Sequence, residues 1–499
     1  MENLQLLLNG LGNALTFSNI VAALAGGFMG LIVGAMPGIG SLAGVALLLP
    51  LTFKMNPTTA IIMLAALYYS NMYGGSFSAI LLNIPGDSPA IMTAMDGYPM
   101  SRSGRAGKAL FTASLSSFIG GSIGIVMLTI VGPLAAKFGL SFGPPELTWL
   151  IILALTSIGW LIGDKPERGL LATAIGIMLA TVGIDKALGQ PRFSFGSVHL
   201  FSGISFIPLV IGMFGFGQVI EMILGQNSSG EVESKKITIK ESLLSKEETK
   251  AILPVAFRSG FLGCFIGILP GAGATMAAFL SYIAEKRLGK NKENMGKGAI
   301  QGVAASEAAN NGAAIGAFAP LLALGIPGSG TAAVLLGGLM MWGLQPGPLL
   351  FKNNPDFVWG LIGSMYIGNA LCLIIAVACI PFLIRIVRVP NTIMIPVISV
   401  ICIVGTFSVN NSMFDVYIMI GAGLFAYLLS SAEIPAAPLL LSFVLTPMFE
   451  MYIRQAFDMS SGSLTIFIQS TISKVLMVLI VAFCVSPIIM KRIKMRKTN

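Results

Sequence analysis

The sequence predicts an all-α polytopic membrane protein: about 11–12 transmembrane helices plus re-entrant hairpins or half-helices, arranged as two inverted-topology repeats. Three observations carry that expectation. The 499-residue chain is 55% hydrophobic and only 10% charged, with a mean hydropathy of +0.86, more apolar than a soluble core of this size requires. Apolar runs of about 20 residues recur from residue 18 to residue 490, the length that crosses a hydrocarbon layer as helix. Closed β-barrels would alternate with period two instead. Third, a proline-glycine break is written twice. Gly27 to Gly40 (GFMGLIVGAMPGIG) and Gly260 to Gly273 (GFLGCFIGILPGAG) share seven identities in fourteen positions, five of them glycine. Each copy is followed by a long helix and a second break, NIPGDS at Asn83 to Ser88 and GIPGSG at Gly325 to Gly330.

The formal charge of +9 does not point to nucleic acid, because Lys and Arg sit in loops between apolar runs, where they set topology. After the first break, copy one carries only Lys54, whereas copy two carries Lys286, Arg287, Lys290, Lys292 and Lys297. After the second break the bias reverses, with Arg102, Arg105 and Lys108 in copy one against Lys352 in copy two. Short basic loops stay cytoplasmic, so the two copies are expected to lie upside down relative to each other. The chain then divides into a first unit (1–225), a polar cytoplasmic linker (226–250), a second unit (251–490) and a basic cytoplasmic tail (491–499).

The elements follow in order. The run 18–53 should fold back at Pro37-Gly38-Ile39-Gly40, as a re-entrant hairpin or as two tight spans, and Pro89 to Tyr98 is too short to span and suits a half-helix. Runs 109–136, 145–163, 169–184 and 200–225 make four crossings and return the linker to the cytoplasm. By parity, 251–284 must start and finish inside, folding back near Pro270-Gly271-Ala272-Gly273. Thr331 to Leu344 is the second half-helix. Runs 356–387, 391–409, 414–430, 433–450 and 467–490 complete the count and leave Arg385, Arg388 and the C-terminus inside. The N-terminus lacks a basic stretch and a cleavage site, so no removed signal peptide is expected. Five cysteines fall almost wholly within apolar runs without metal-like spacing, which reads as core packing and no disulfide framework.

Each Pro-Gly pair removes a backbone donor and admits non-helical dihedrals, freeing carbonyls and amides at membrane depth. Such groups are tolerated only where protein or a water-filled cavity satisfies them. Half-helix N-termini suit an anion and exposed carbonyls suit a small cation. The polar residues beside the breaks match that use: Ser70, Asn71, Ser76, Ser78, Asn83, Asp87 and Ser88 in copy one, and Ser306, Asn310, Asn311, Ser329 and Thr331 in copy two. Taken singly, a Ser or Gly is explained by close helix packing; taken as sets, the Asn71 region and the two breaks read as a binding site. Asn71, Asn83, Ser88, Asn311, Ser329 and Thr331 are the substrate candidates. Backbone at Gly38, Gly40, Gly271 and Gly273 is the candidate for cation or substrate contact. Ionisable residues in apolar surroundings need a reason. Asp87 could bind a cation or cap the following half-helix, and Glu307 could form a packing ion pair or serve an ion site. Glu146 and Glu433 read as first-turn residues of apolar runs, and the single histidine, His199, as structural.

At GLIVGAMPGIGSLAG, YGGSFSAILLNIPGDSPA, MDGYPMSRSGRAGKAL and GIPGSGTAAVLLGGLMMWGLQPGPLLF the sequence resembles the large membrane subunit of the tripartite tricarboxylate transporters, the TctA family, over roughly residues 15 to 450. The resemblance implies a multi-pass protein of the bacterial inner membrane working with a small TctB-like membrane subunit and a periplasmic TctC-like solute-binding protein. It implies import of citrate or related carboxylates driven by a sodium or proton gradient, with no cofactor. One feature stands apart from a carboxylate site: no Lys or Arg lies beside the breaks, and Arg258, twelve residues before Pro270, is the nearest in copy two.

The other readings are weaker. An ATP-driven pump lacks a phosphate loop and a domain to carry it. A serine protease reading of PGSG at Pro327 to Gly330 lacks a base beyond His199. A passive anion channel remains as the alternative, against which broken helices in inverted repeats argue for alternating access.

Overall fold

The structure, a computed structural model, describes residues 2–36, 39–161, 166–185, 189–224, 238–269, 273–382 and 391–482. Eight helices among them are long and apolar enough to cross a membrane, and four shorter apolar helices (Ser41–Thr52, Pro144–Thr156, Gly330–Met341 and Thr471–Ala482) accompany them. The strands described are a two-residue hairpin, β1 (Gly183–Ile184) pairing antiparallel with β2 (Pro191–Arg192). The chain is therefore an all-α multi-pass membrane protein.

The first part runs α1 (Glu2–Ala14), α2 (Phe17–Ala35), α3 (Ser41–Thr52), α4 (Pro57–Leu82), a 3₁₀ turn (Ser88–Ala90), α5 (Ile91–Met100) and α6 (Ala106–Gly139). Next come α7 (Pro144–Leu161), α8 (Pro166–Ala180), and α9 (Phe206–Val210), which continues through a π-helical stretch into α10 (Gly217–Leu224). The second part opens with α11 (Ile239–Ser242), α12 (Lys246–Ile268), α13 (Gly273–Leu288), α14 (Ile300–Gly316), α15 (Phe318–Leu324), α16 (Gly330–Met341), α17 (Pro348–Asn353) and α18 (Pro355–Cys379). It closes with α19 (Asn391–Asn410), α20 (Met413–Ser431), α21 (Ala436–Met459) and α22 (Ile466–Gln469).

The packing of the two parts corresponds residue by residue. Helix α2 lies along α4 as α12 lies along α14, and small residues permit the close approach. A Cβ built on Gly30 would lie 2.4 Å from the Leu67 carbonyl oxygen, and one on Gly34 would lie 2.2 Å from that of Asn71. With the same spacings, a Cβ on Gly263 would meet the Ala309 oxygen at 2.1 Å and one on Gly267 the Ala313 oxygen at 2.2 Å. Between parts the contacts are reciprocal. Helix α1 packs on α18 and α11 on α6, while α3 packs on α16 and α13 on the Ser88–Ala90 turn.

Three expectations change. The long helix of copy two is divided where copy one has the continuous α4, because Pro320 withdraws the donor that would close on Gly316; α14 stops at Gly316 and α15 restarts at Phe318. Glu433 is not a first-turn residue. It sits before α21 at φ 57°, and its carboxylate pairs with Arg168. Glu307 has no ion pair among the described residues. The break tips at 37–38 and 270–272, with Gly38 and Gly271, lie outside the described residues, as do 226–237 of the linker, Arg385, Arg388 and the basic tail.

Candidate functional site

Helices α3 and α16 are each 12 residues long, about 18 Å of helix, which is too short to span the membrane. They belong to different parts of the chain, and their N-termini meet. The Ser41 hydroxyl, on the first residue of α3, lies 3.0 Å from the hydroxyl of Thr331, on the second residue of α16. Two helix ends that each carry positive dipole charge are brought together with no Lys or Arg between them.

One negative group answers that charge. Asp87, from the second break of copy one, accepts the Ser41 amide at 2.9 Å on Oδ2 and the Ser88 amide at 2.8 Å on Oδ1. It thereby caps both α3 and the 3₁₀ turn that leads into α5, and Asn71 Nδ2 donates to Oδ2 at 3.2 Å. At the equivalent place in copy two stands a hydroxyl. Ser329 caps α16 through the Ala332 amide at 3.2 Å, and its Oγ lies 3.0 Å from the Tyr68 hydroxyl. The two caps follow equivalent turns. Asn83 ends α4 in the left-handed region at φ 60°, ψ 23°, and Gly325 ends α15 at φ 71°, ψ 22°; asparagine and glycine are the residues that accept this conformation.

Close backbone approach fixes both turns. A Cβ on Gly86 would fall 1.9 Å from the Gly34 carbonyl oxygen, and one on Gly328 would fall 2.7 Å from that of Gly267. Gly40, which N-caps α3, faces the Asp87 carboxylate, where a Cβ would sit 3.3 Å from Oδ1.

The sequence candidates therefore divide. Asn71, Ser88, Ser329, Thr331, Gly40 and Asp87 come together around the ends of α3 and α16. Asn83 is exposed and serves as a helix stop, and Gly273 starts α13 at φ 59°. Asn311 lies on α14, where its Nδ2 donates to the Glu307 carbonyl at 3.3 Å. The Oδ1 atoms of Asn71, Asn310 and Asn311 are buried and make no hydrogen bond among the described residues. Two site residues escaped sequence reasoning. Ser41 directly follows the Gly40 cap, and Tyr68 precedes Asn71 by three residues on the same face of α4.

Several other ionisable residues have structural partners. Glu307, fully buried, receives the Thr93 hydroxyl on Oε1 and the Ser117 hydroxyl on Oε2, the latter at 2.9 Å. Asp96, which the sequence reading passed over, accepts the amides of Gly296, Gly298 and Ala299 at 2.8, 2.9 and 2.8 Å on Oδ1 and the Tyr282 hydroxyl at 2.8 Å on Oδ2. It ties the basic loop after α13 to α5. Arg258 pairs with Glu285, so it is held by α13 rather than offered to a substrate. Glu146 stays in the first turn of α7 and accepts the Gly143 amide at 2.9 Å, and His199 stacks on Phe414 with ring centroids 4.9 Å apart.

The Tripartite tricarboxylate transporter TctA family matches residues 20–441. A protein of Agrobacterium vitis described as "Uncharacterized 52.8 kDa protein in TAR-I ttuC' 3'region" is 41% identical over 464 residues, covering 93% of this chain and 92% of that protein. A second, "Uncharacterized protein in TAR-II ttuC' 3'region" from the same organism, is 41% identical over 211 residues, 42% of this chain and 87% of its own length. No solved structure matches. A family match that takes in both pairs of breaks, with a relative aligned along nearly its whole length, places this chain in the tripartite tricarboxylate transporter TctA family.

Proposed function

We propose that this chain is the transporting subunit of a tripartite carboxylate importer of the bacterial inner membrane, carrying citrate or a related carboxylate on a sodium or proton gradient. A periplasmic TctC-like protein delivers the substrate, and a TctB-like subunit completes the membrane complex. The observation that carries the reading is the meeting of the α3 and α16 N-termini at Ser41 and Thr331, contributed by different parts of the chain. Amides and hydroxyls at such ends can hold carboxylates without a basic side chain. Asn71, Ser88, Ser329 and Thr331 are the proposed substrate contacts, with Ser41 and Tyr68 added to them.

Alternating access follows if the two units are inverted and rock about this site. Loop contacts support inversion, because each of four contacts among the described residues joins residues that the charge rule assigns to the same side. On the cytoplasmic side Lys108 bonds Glu248 at 2.7 Å and Arg105 bonds the Gly298 carbonyl at 3.1 Å. On the opposite side Arg192 bonds Glu450 at 2.6 Å and His199 stacks on Phe414.

The test is uptake of labelled citrate and a panel of di- and tricarboxylates into proteoliposomes holding the membrane subunits, with and without the binding protein and an inward sodium or proton gradient. Accumulation that needs both supports the symporter. Equilibration that ignores both gradients, with no counterflow, would establish a passive channel instead.

A further inference from the structure

Glu307 sits at a junction of the two parts. Its carboxylate, on α14, is fully buried within the helix bundle and meets Thr93 of α5 and Ser117 of α6. A buried carboxylate in a membrane segment is costly unless a partner or a proton compensates it. Several charged groups on the elements packed against α14 have partners of their own, and Lys137 of α6, Lys246, Glu247 and Lys250 of α12, and Lys286 and Arg287 of α13 also lie on these elements. Asp87 binds the Ser41 amide, Asp96 of α5 is held by Tyr282 of α13 and three loop amides, Lys108 of α6 pairs with Glu248, and Arg258 of α12 pairs with Glu285 of α13. On α4, the Tyr73 hydroxyl donates to Asn369 at 3.0 Å.

The hydroxyls around Glu307 form a chain that works in either direction. Thr93 Oγ1 lies 2.9 Å from Ser306 Oγ, and Ser306 Oγ lies 3.0 Å from the Gly302 carbonyl and 3.1 Å from that of Val303. With the carboxylate ionised, Thr93 donates to Oε1 and Ser117 to Oε2. With a proton on Oε1, that proton is donated to Thr93, Thr93 turns its own hydrogen to Ser306, and Ser306 donates to the carbonyls of α14. No heavy atom has to move, and every hydroxyl keeps an acceptor in both states.

We propose that Glu307 is a proton-binding site of the transport cycle, loaded and unloaded once per turnover and linked to the candidate substrate site through α5. Thr93 is on the first turn of α5, six residues beyond Asp87, so the bond between Thr93 and Glu307 fixes the helix whose leading turn Asp87 caps. This inference rests on the carboxylate-transport reading and selects the proton as the coupling ion.

Two measurements on the complete chain test it. In proteoliposomes holding all three components, an inward proton gradient should drive accumulation of labelled citrate. Glu307→Gln should lose that accumulation, and citrate counterflow by the wild-type chain in the same liposomes separates loss of coupling from failure of the transport reading. Infrared spectra of the purified chain should show a carboxylic acid carbonyl band that titrates with pH and is absent from Glu307→Gln. Thr93→Val, which removes a donor to the ionised form, should move the titration midpoint to higher pH, and this arm decides the proposal even if citrate is not carried. Proton-driven accumulation or the titrating band surviving in Glu307→Gln would overturn it. So would accumulation driven by sodium alone, or a midpoint unmoved in Thr93→Val.

Discussion

Ser41 and Thr331, separated by 290 positions in the chain, place their hydroxyls 3.0 Å apart where two half-helices end nose to nose. If substrate carboxylate lies against these ends, both hydroxyls donate to it. A hydrogen bond to a charged group contributes roughly 1.5–3 kcal/mol. Thr331→Val should therefore raise the KM for uptake about tenfold or more, since each 1.4 kcal/mol is tenfold. Ser41→Ala should act in the same direction, and neither change should lower the yield of folded protein. A KM unchanged in both variants would remove the α3–α16 contact from the substrate site.

Asp87 serves two helix ends at once, so its substitutions separate charge from hydrogen bonding. Asparagine keeps one oxygen, which can serve the Ser41 amide or the Ser88 amide but not both, so it should unfold between the wild type and Asp87→Ala in detergent. Alanine removes the cap, at a cost of about 0.5–2 kcal/mol, and should lower the thermal midpoint measurably. Equal midpoints for the two variants would mean that the capping bonds contribute nothing to stability.

The turns that carry the caps depend on glycine at two equivalent places. Gly86→Ala puts a methyl 1.9 Å from the Gly34 oxygen, and Gly328→Ala puts one 2.7 Å from the Gly267 oxygen. Both must shift backbone, at typical costs of about 1–3 kcal/mol or more. Folded yield on size-exclusion chromatography should fall in both, and further for Gly86→Ala. The reverse order would show that the second turn is the more rigidly held.

Arg192 pairs with Glu450 at 2.6 Å and Asp185 at 3.4 Å, and Arg454 pairs with Asp185 at 2.6 Å. The bond to Glu450 holds the Arg192 guanidinium above its usual pKa, so this group stays charged throughout the accessible pH range. The network fastens the β1–β2 hairpin to the end of α21. A double-mutant cycle between Arg192→Gln and Glu450→Gln, read by thermal midpoint, should give a coupling of about 0.5–3 kcal/mol. Additive effects would show that the hairpin is anchored by its other contacts.

Much of the candidate site was legible because proline and glycine act locally. The pairs Pro85-Gly86 and Pro327-Gly328 interrupt helices whatever surrounds them, and the residues just after them, Asp87 and Ser329, are the types that cap a new helix. Asn71, Ser88 and Thr331 were found by nearness to those breaks. Tyr68 and Ser41 were not, because nothing along the chain records that one reaches Ser329, 261 positions away, and the other Thr331. Glu307 was visible as an anomaly, an acid in an apolar stretch. Its partners were not, since they are ordinary hydroxyls on α5 and α6.

By itself the sequence determined the class of protein, the positions of the helix interruptions and the repeated motif that relates them. These follow from hydropathy, from backbone stereochemistry and from glycine spacing, and each is a property of a short stretch of chain. Tertiary structure alone decided which interruptions meet, that Asp87 closes on α3 as well as on its own turn, and that Glu307 faces hydroxyls rather than a cation. Those outcomes depend on how α4 and α14 pack against α2, α6 and α12, a balance of close backbone contacts and buried polar pairs that no single segment carries.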